Sequence, residues 1–337
     1  MISSHNSANV NDIAAARYAP PGRYMKDHCF MFENQRWHLF APLGKVGCSW
    51  EDPGSEETAE HMVCTDLVHW DHVGTAVAAS GNDDTFDKMM GGIAPHVIRH
   101  EGIFTMFYAG WTFPSKRPKF NMSGYRMSIG LAVSQDLYHW QKPEKFVREG
   151  LGVAGTDQCV VRDEANRRWL MYTCTGDVPV YESKNLHHWS QAGVALSAAD
   201  VAGTCGGNPA ESPFVMKHPR SGQWIIIMNG GCAVSDNPLK FPPIRPYPFK
   251  AGWHAVAGVK ASGEWGDGTN CQADDDGAGF AHEMLEFAGQ WYMSGVVGRD
   301  GQFKLKFMPV KWTEDSLVSA DSQRSGHTMG KHRQGSG

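Results

Sequence analysis

The 337-residue sequence predicts an all-β fold, a five-bladed β-propeller of four-stranded antiparallel sheets around a central channel. Three observations predict it. An apolar strand motif opened by an aromatic recurs five times, a second motif follows each of its first three copies, and helical periodicity is nearly absent.

The strand motif reads Trp37-His38-Leu39-Phe40, Phe104-Thr105-Met106-Phe107-Tyr108, Trp169-Leu170-Met171-Tyr172, Trp224-Ile225-Ile226-Ile227-Met228 and Trp291-Tyr292-Met293-Ser294-Gly295. The intervals of 67, 65, 55 and 67 positions between their first residues each suit one four-stranded blade with its loops. The second motif is Asp66-Leu67-Val68-His69-Trp70, Asp136-Leu137-Tyr138-His139-Trp140 and Asn185-Leu186-His187-His188-Trp189, with a weaker echo at Pro238-Leu239-Lys240-Phe241. It reads as an Asp/Asn turn whose Trp packs between blades. A β-sandwich shows regular strand spacing but no such paired repeat.

Composition agrees. With 41% hydrophobic residues, 38 Gly and 12 Trp, the chain suits short strands joined by tight turns and is not disordered as a whole. A net charge of −5 without a basic stripe argues against nucleic acid as a partner. No stretch approaches the ~20 apolar residues of a membrane span, so no membrane is expected. The first residues lack the pattern of a secretory signal, and the eight Cys contain no CxxC pair. Both suit reduced thiols and a cytoplasmic location, with a secreted origin left open. The expected organisation is an extended or disordered segment over 1–16, one propeller domain over 17–318, and a disordered or vector-derived tail over 319–337.

Counting back from each aromatic to the preceding, innermost strand aligns Asp27, Ala94, Asp157, Glu211 and His282. Three acids are thereby expected at one channel mouth. An acid opening an apolar strand is costly unless paired or used, because burial disfavours its charged form. For any single one, a turn or capping role is an even alternative. Glycoside hydrolysis needs such a set: a protonated carboxyl for the leaving oxygen and a carboxylate across the ring as nucleophile or base. The expected catalytic roles are general acid for Glu211, nucleophile or base for Asp27, and a stabilising or tuning carboxylate in Asp157. His28, His96, Trp111, Trp253, His282 and Glu283 are the expected substrate-binding residues. Two insertions, Trp111 to Arg126 and Pro242 to Phe280, are long enough to shape a pocket.

These residues resemble the five-bladed glycoside hydrolases of families 43, 32, 62 and 68, over roughly Arg17 to Trp312. Asp66-Leu67-Val68-His69-Trp70 is similar to the blade-closing segment of families 32 and 43. Met25-Lys26-Asp27, Thr156-Asp157 and Glu211-Ser212-Pro213 resemble the three acid-bearing motifs. The first acid motif of family 32 usually reads Trp-Met-Asn-Asp-Pro-Asn-Gly and the second Arg-Asp-Pro. Here Lys26 and His28 flank Asp27, and Thr156 and Gln158 flank Asp157. The resemblance then leans towards a family 43-like enzyme acting on a terminal furanosyl or pyranosyl residue, of the arabinofuranosidase, xylosidase or galactofuranosidase kind. A β-fructofuranosidase, a glycoside phosphorylase or transglycosylase, and a non-catalytic sugar-binding propeller are the alternatives. The implied partner is an oligosaccharide or glycoside. No cofactor is required by this reading, although the resemblance allows a calcium or sodium ion in the channel, held by His282.

Overall fold

A computed structural model describes all residues except 1–7, 49–51, 53, 83, 89–92, 113–125, 202–210, 252, 253, 256–270, 300 and 321–337. Trp253, the centre of the first insertion, part of the second and nearly all of the tail expected over 319–337 lie outside the described residues.

Where an extended or disordered start is expected, Val10–Ala15 forms a short helix, α1. The correction has a local cause. The Asn9 side chain accepts from the backbone N–H of Asn11 and Asp12, while Asp12 reaches back to the Asn9 N–H, a reciprocal capping box. Ile13, fully buried, anchors the helix in a cluster with Leu285, Leu305 and Phe307.

Blade one contains β1 (Arg23–Met25), β2 (Cys29–Glu33), β3 (Arg36–Lys45), β4 (Thr58–Cys64) and β5 (Asp71–Ala78). Blade two contains β6 (His96–His100), β7 (Ile103–Thr112) and β8 (Arg126–Ser134), with a single bridge, Val133 to Gln141, in place of a fourth strand. A short helix, α2 (Glu144–Val147), leads to blade three, β9 (Thr156–Asp163), β10 (Arg168–Cys174), β11 (Val178–Ser183) and β12 (Ser190–Leu196). After α3 (Ala198–Val201), blade four runs β13 (Phe214–Lys217), β14 (Trp224–Met228), β15 (Gly231–Ser235) and β16 (Arg245–Pro246). A small extension, β17 (His254–Ala255) and β18 (Cys271–Ala273), joins blade five, which is β19 (Phe280–Phe287), β20 (Gln290–Arg299), β21 (Lys304–Trp312) and β22 (Leu317–Ser319).

The innermost strands β2, β6, β9, β13 and β19 each lie against the next, and β19 returns to β2, so the ring is closed. The N-terminal segment helps to seal it: Tyr18 bridges Leu305, and the Met25 N–H donates to Phe303 O across the junction. Hydrophobic clusters fill the gaps between neighbouring blades, as Phe40 with Val97 and Met106, or Tyr172 with Val215 and Ile226. Sheets buried on both faces have no use for alternation, which is why Trp224–Met228 reads as one apolar run with every residue buried.

The second motif forms the turn it predicts. Asp66 Oδ1 accepts from the Val68 and His69 N–H groups at 2.9 Å, Leu67 takes φ 65°, and Trp70 Nε1–H donates to Leu67 O. The same bonds recur around Asp136 and Asn185, where Leu137 and Leu186 take φ 69° and 65°. The side-chain oxygen mimics a backbone turn and offsets the cost of a non-Gly residue in the left-handed region.

Phe86 seats its ring against Gly110 and Gly130, in the space a Cβ at either glycine would occupy, and so docks the 84–88 segment on blade two. Asp87 beside it accepts from Tyr108 and Lys142. Gly130→Ala is expected to cost about 1–3 kcal/mol through overpacking, read as a lower urea midpoint at unchanged m-value.

Candidate active site

Pairing across each inner hairpin gives the true equivalence of the blades. Cys29 faces Phe40, His96 faces Phe107, Cys159 faces Tyr172, Phe214 faces Ile227 and Glu283 faces Ser294. Two residues earlier stand Asp27, Ala94, Asp157, Ser212 and Ala281, and all five have positive φ, from 33° to 56°. This corrects the sequence alignment: Glu211 lies one residue before the equivalent position and His282 one after. Strand pairing fixes the spacing between this position and the aromatic. Two residues join the strands in blades one, two and five, but 164–167 and 218–223 do so in blades three and four. The position therefore lies 10 residues before the aromatic in blades one, two and five and 12 before it in blades three and four, whereas Glu211 lies 13 before Trp224 and His282 lies 9 before Trp291.

All five are non-Gly residues in the left-handed region, a strain that concentrates where function requires it. The ring opens onto a pocket lined by Asp27 and His28, Ala94 and Pro95, Asp157 and Gln158, Ser212 and Pro213, and Ala281 to Glu283. Every blade contributes. Glu211, half-buried, precedes the lining pair Ser212 and Pro213, and its charge acts on both Asp27 and Cys174.

The carboxyls have different surroundings. Burial, then the Asp157 charge, pushes Asp27 well above the ordinary carboxylate range; Glu56 and Glu211 add to this and Lys26 opposes it. Asp157 is also raised by burial, but two donors hold its anion: the Ser212 N–H to Oδ2 and the Thr156 hydroxyl to Oδ1, both at 3.1 Å. Carboxylates sharing one dry site do not all ionise together, so this cluster keeps a proton to higher pH than any of them would alone.

Glu283 lines the cavity one step deeper, near Cys29 and Cys159, and burial raises it well above its usual value. The unfolded chain ionises this group near about pH 4.3, whereas the folded protein keeps the proton to higher pH. Stability contributed by the neutral form is thus lost as pH rises through that window. Glu283→Gln is expected to raise Tm relative to the parent at neutral pH, with the gap closing as pH falls to about 4; paired thermal melts across pH measure it.

Three histidines are buried and held neutral. His28, lowered to about 3 by burial and His282, makes a 2.7 Å bond through Nε2 to Ser294 Oγ. His96, lowered to about 4, lies below the mouth with its Nε2 3.1 Å from Val160 O, tying blade two to blade three. His282, also about 4, has Nδ1 3.2 Å from Met228 O and Nε2 2.9 Å from Gly279 O. A neutral imidazole carries one N–H, so it donates to one of these two carbonyl oxygens. Among the described residues no group of three or more His, Cys, Asp or Glu is placed to hold a metal.

Of the expected site residues, the structure brings together Asp27, His28, Asp157, His282 and Glu283, with Glu211 adjoining. His96 and Trp111, both buried, are not among the lining residues: His96 faces the neighbouring blade, and Trp111 sits within β7. Sequence reasoning gave no role to Gln158, Ser212 or Glu56. Gln158 donates through Nε2 to Phe107 O at 2.8 Å and to Ala94 O, bracing blade two against blade three beneath the acids. The Ser212 contribution is a backbone N–H, which no side-chain pattern reveals. Cys29, Cys48, Cys64, Cys159, Cys174 and Cys232 are free thiols, and no helix of the described residues is long and apolar enough to cross a membrane.

Comparison with known proteins places this geometry. The chain is 24% identical to the sucrose-6-phosphate hydrolase of Escherichia coli over 178 residues, which cover 51% of this chain and 35% of that protein. The match therefore spans little more than a third of that relative's length. Among solved structures, the family 32 β-fructofuranosidase of Bombyx mori superposes with a TM-score of 0.58 at 14% identity, covering 91% of this chain and 65% of that one. A xylan β-1,4-xylosidase of Bacillus halodurans does so with a TM-score of 0.58 at 16% identity, covering 91% and 56%. At these identities the likeness to solved structures speaks for the fold. Residues 18–230, more than half of the chain, match the glycosyl hydrolases family 32 N-terminal domain, and the chain belongs to that family.

Proposed function

We propose that the protein is a glycosidase that cleaves a terminal furanosyl or pyranosyl residue bound in the funnel, with water as acceptor. The observation that carries this reading is the ring itself. Asp27 and Asp157 occupy equivalent strained positions, and Asp27 senses both Asp157 and Glu211. Glu211 serves as general acid, giving its proton to the leaving oxygen. Asp27 is the nucleophile or base. Asp157, already accepting from Ser212 and Thr156, is suited to stay an anion and stabilise the positive charge that develops on the sugar ring. A protonated Glu283 supplies a donor to a sugar hydroxyl.

A β-fructofuranoside is a second reading of the substrate. Family 32 membership and the likeness to a sucrose-6-phosphate hydrolase favour it, and Thr156, where the family usually carries Arg, weighs against it. Assays on sucrose and on panels of aryl furanosides and aryl pyranosides, with and without inorganic phosphate, test both readings. Hydrolysis of one class independent of phosphate is the expected result; no turnover of any, or turnover only with phosphate, overturns the hydrolase assignment.

A further inference from the structure

The residues immediately before the five strained positions are Lys26, Ile93, Thr156, Glu211 and Phe280. Where the strained residue is Ala, as at Ala94 and Ala281, the preceding residue is a buried apolar one, Ile93 or Phe280. Where it is an acid, the preceding residue is a donor. Thr156 gives its hydroxyl to Asp157. Lys26 occupies the matching place beside Asp27.

Lys26 is not a wandering surface lysine. Its side chain is 15% exposed, its Nζ lies 3.4 Å from Glu56 Oε1, and the ammonium sits 5.9 Å and 5.8 Å from the ring centres of Tyr24 and Phe303. Aromatic faces and an anion both favour the charged ammonium. The anchor is itself built in. Glu56 is buried, takes φ 53°, accepts at 2.7 Å from the Tyr24 hydroxyl, and leaves Oε2 without a hydrogen-bond partner. Tyr24 in turn lies flat over Gly44, where any Cβ would overlap its ring. A strained, incompletely satisfied buried carboxylate is expensive to maintain and calls for a fixed cation beside it.

We propose that Lys26 is a positioning residue for the reaction: clamped by Glu56, Tyr24 and Phe303, it sets the charge of Asp27 and with it the acid side of the enzyme's pH dependence. The charged groups facing Asp27 are Asp157, Glu56 and Glu211, which oppose its ionisation, and Lys26, which favours it. Losing Lys26 removes the charge that favours it. The assignment rests on the reading of Asp27 as the nucleophile or base, and its test has one arm that needs no substrate.

The carboxyl carbon of Asp27, identified by the signal that Asp27→Asn removes, is titrated by ¹³C NMR in the parent, Lys26→Met and Lys26→Arg. The midpoint is expected to rise by about one pH unit or more in Lys26→Met, as for the loss of a near opposite charge, and to stay near the parent in Lys26→Arg. Lys26→Gln, polar and of similar reach, replaces the Met variant if that one does not fold. In the second arm, the acid limb of kcat/KM on the best glycoside moves by the same amount. A folded Lys26→Met or Lys26→Gln with an unmoved Asp27 midpoint overturns the proposal, whatever its activity. A moved midpoint in a protein that turns over no glycoside supports the Lys26 to Asp27 coupling and sinks the glycosidase reading instead.

Discussion

Glu211→Gln is expected to lower kcat by about 10²- to 10⁴-fold on a glycoside with a poor leaving group, the usual contribution of a positioned general acid. The loss shrinks as the aglycone becomes more acidic, because a good leaving group departs without a proton. That dependence separates an acid from a residue that merely supports the fold. Glu211 is half-buried, and Gln keeps its size, so the variant should fold as the parent does. Steady-state kinetics on an aryl-glycoside series, plotted against phenol pKa, measure it; equal losses across the series, or no loss, remove Glu211 from the acid role.

Asp27→Asn is expected to be more damaging, on the order of 10⁴-fold or more in kcat/KM, about 5.5 kcal/mol of transition-state stabilisation. No leaving group rescues it, since the missing group acts on the sugar and not on the aglycone. Its effect on stability has the opposite sign. Burial and the charges of Asp157, Glu56 and Glu211 all disfavour the Asp27 anion, so neutral Asn is expected to leave Tm unchanged or raise it near neutral pH. Lost turnover with an equal or higher Tm is the signature of a residue retained for chemistry. Lost turnover with a lower Tm would reassign Asp27 to structure.

The two variants also divide the labour differently from Asp157. That carboxylate already accepts from the Ser212 N–H and the Thr156 hydroxyl, a fixed acceptor with less freedom to exchange a proton. Burial raises both carboxyls, but at Asp157 the two donors oppose the rise, whereas at Asp27 the neighbouring carboxylates add to it. Environments that push like groups apart are how two carboxyls of the same type come to play different roles.

Several of these features were legible in the chain. Each blade had to bury both faces of its sheet, so the aromatic-led apolar runs could not be hidden, and their repeat carried the architecture. The Asp/Asn turns were equally visible because their hydrogen bonds are local. Asp27 and Asp157 stood out for the same reason, acids at the mouths of apolar strands. The phase of the fourth and fifth blades was not legible. Ser212 and Ala281 carry no charge and each adjoins a titratable residue, Glu211 or His282, so only strand pairing shows that Ser212 and Ala281 match Asp27.

The sequence by itself determined a five-bladed all-β ring and the candidate acids Asp27, Asp157 and Glu211, since periodic burial and local turn chemistry leave their mark residue by residue. Only the tertiary structure decided that Glu283 and His28 line the funnel while His96 does not, that the Ser212 N–H serves Asp157, and that Glu56, 29 positions from Asp27, anchors Lys26 beside it. Charges act through space, and contacts between blades join residues that the chain keeps far apart. No one-dimensional pattern records either.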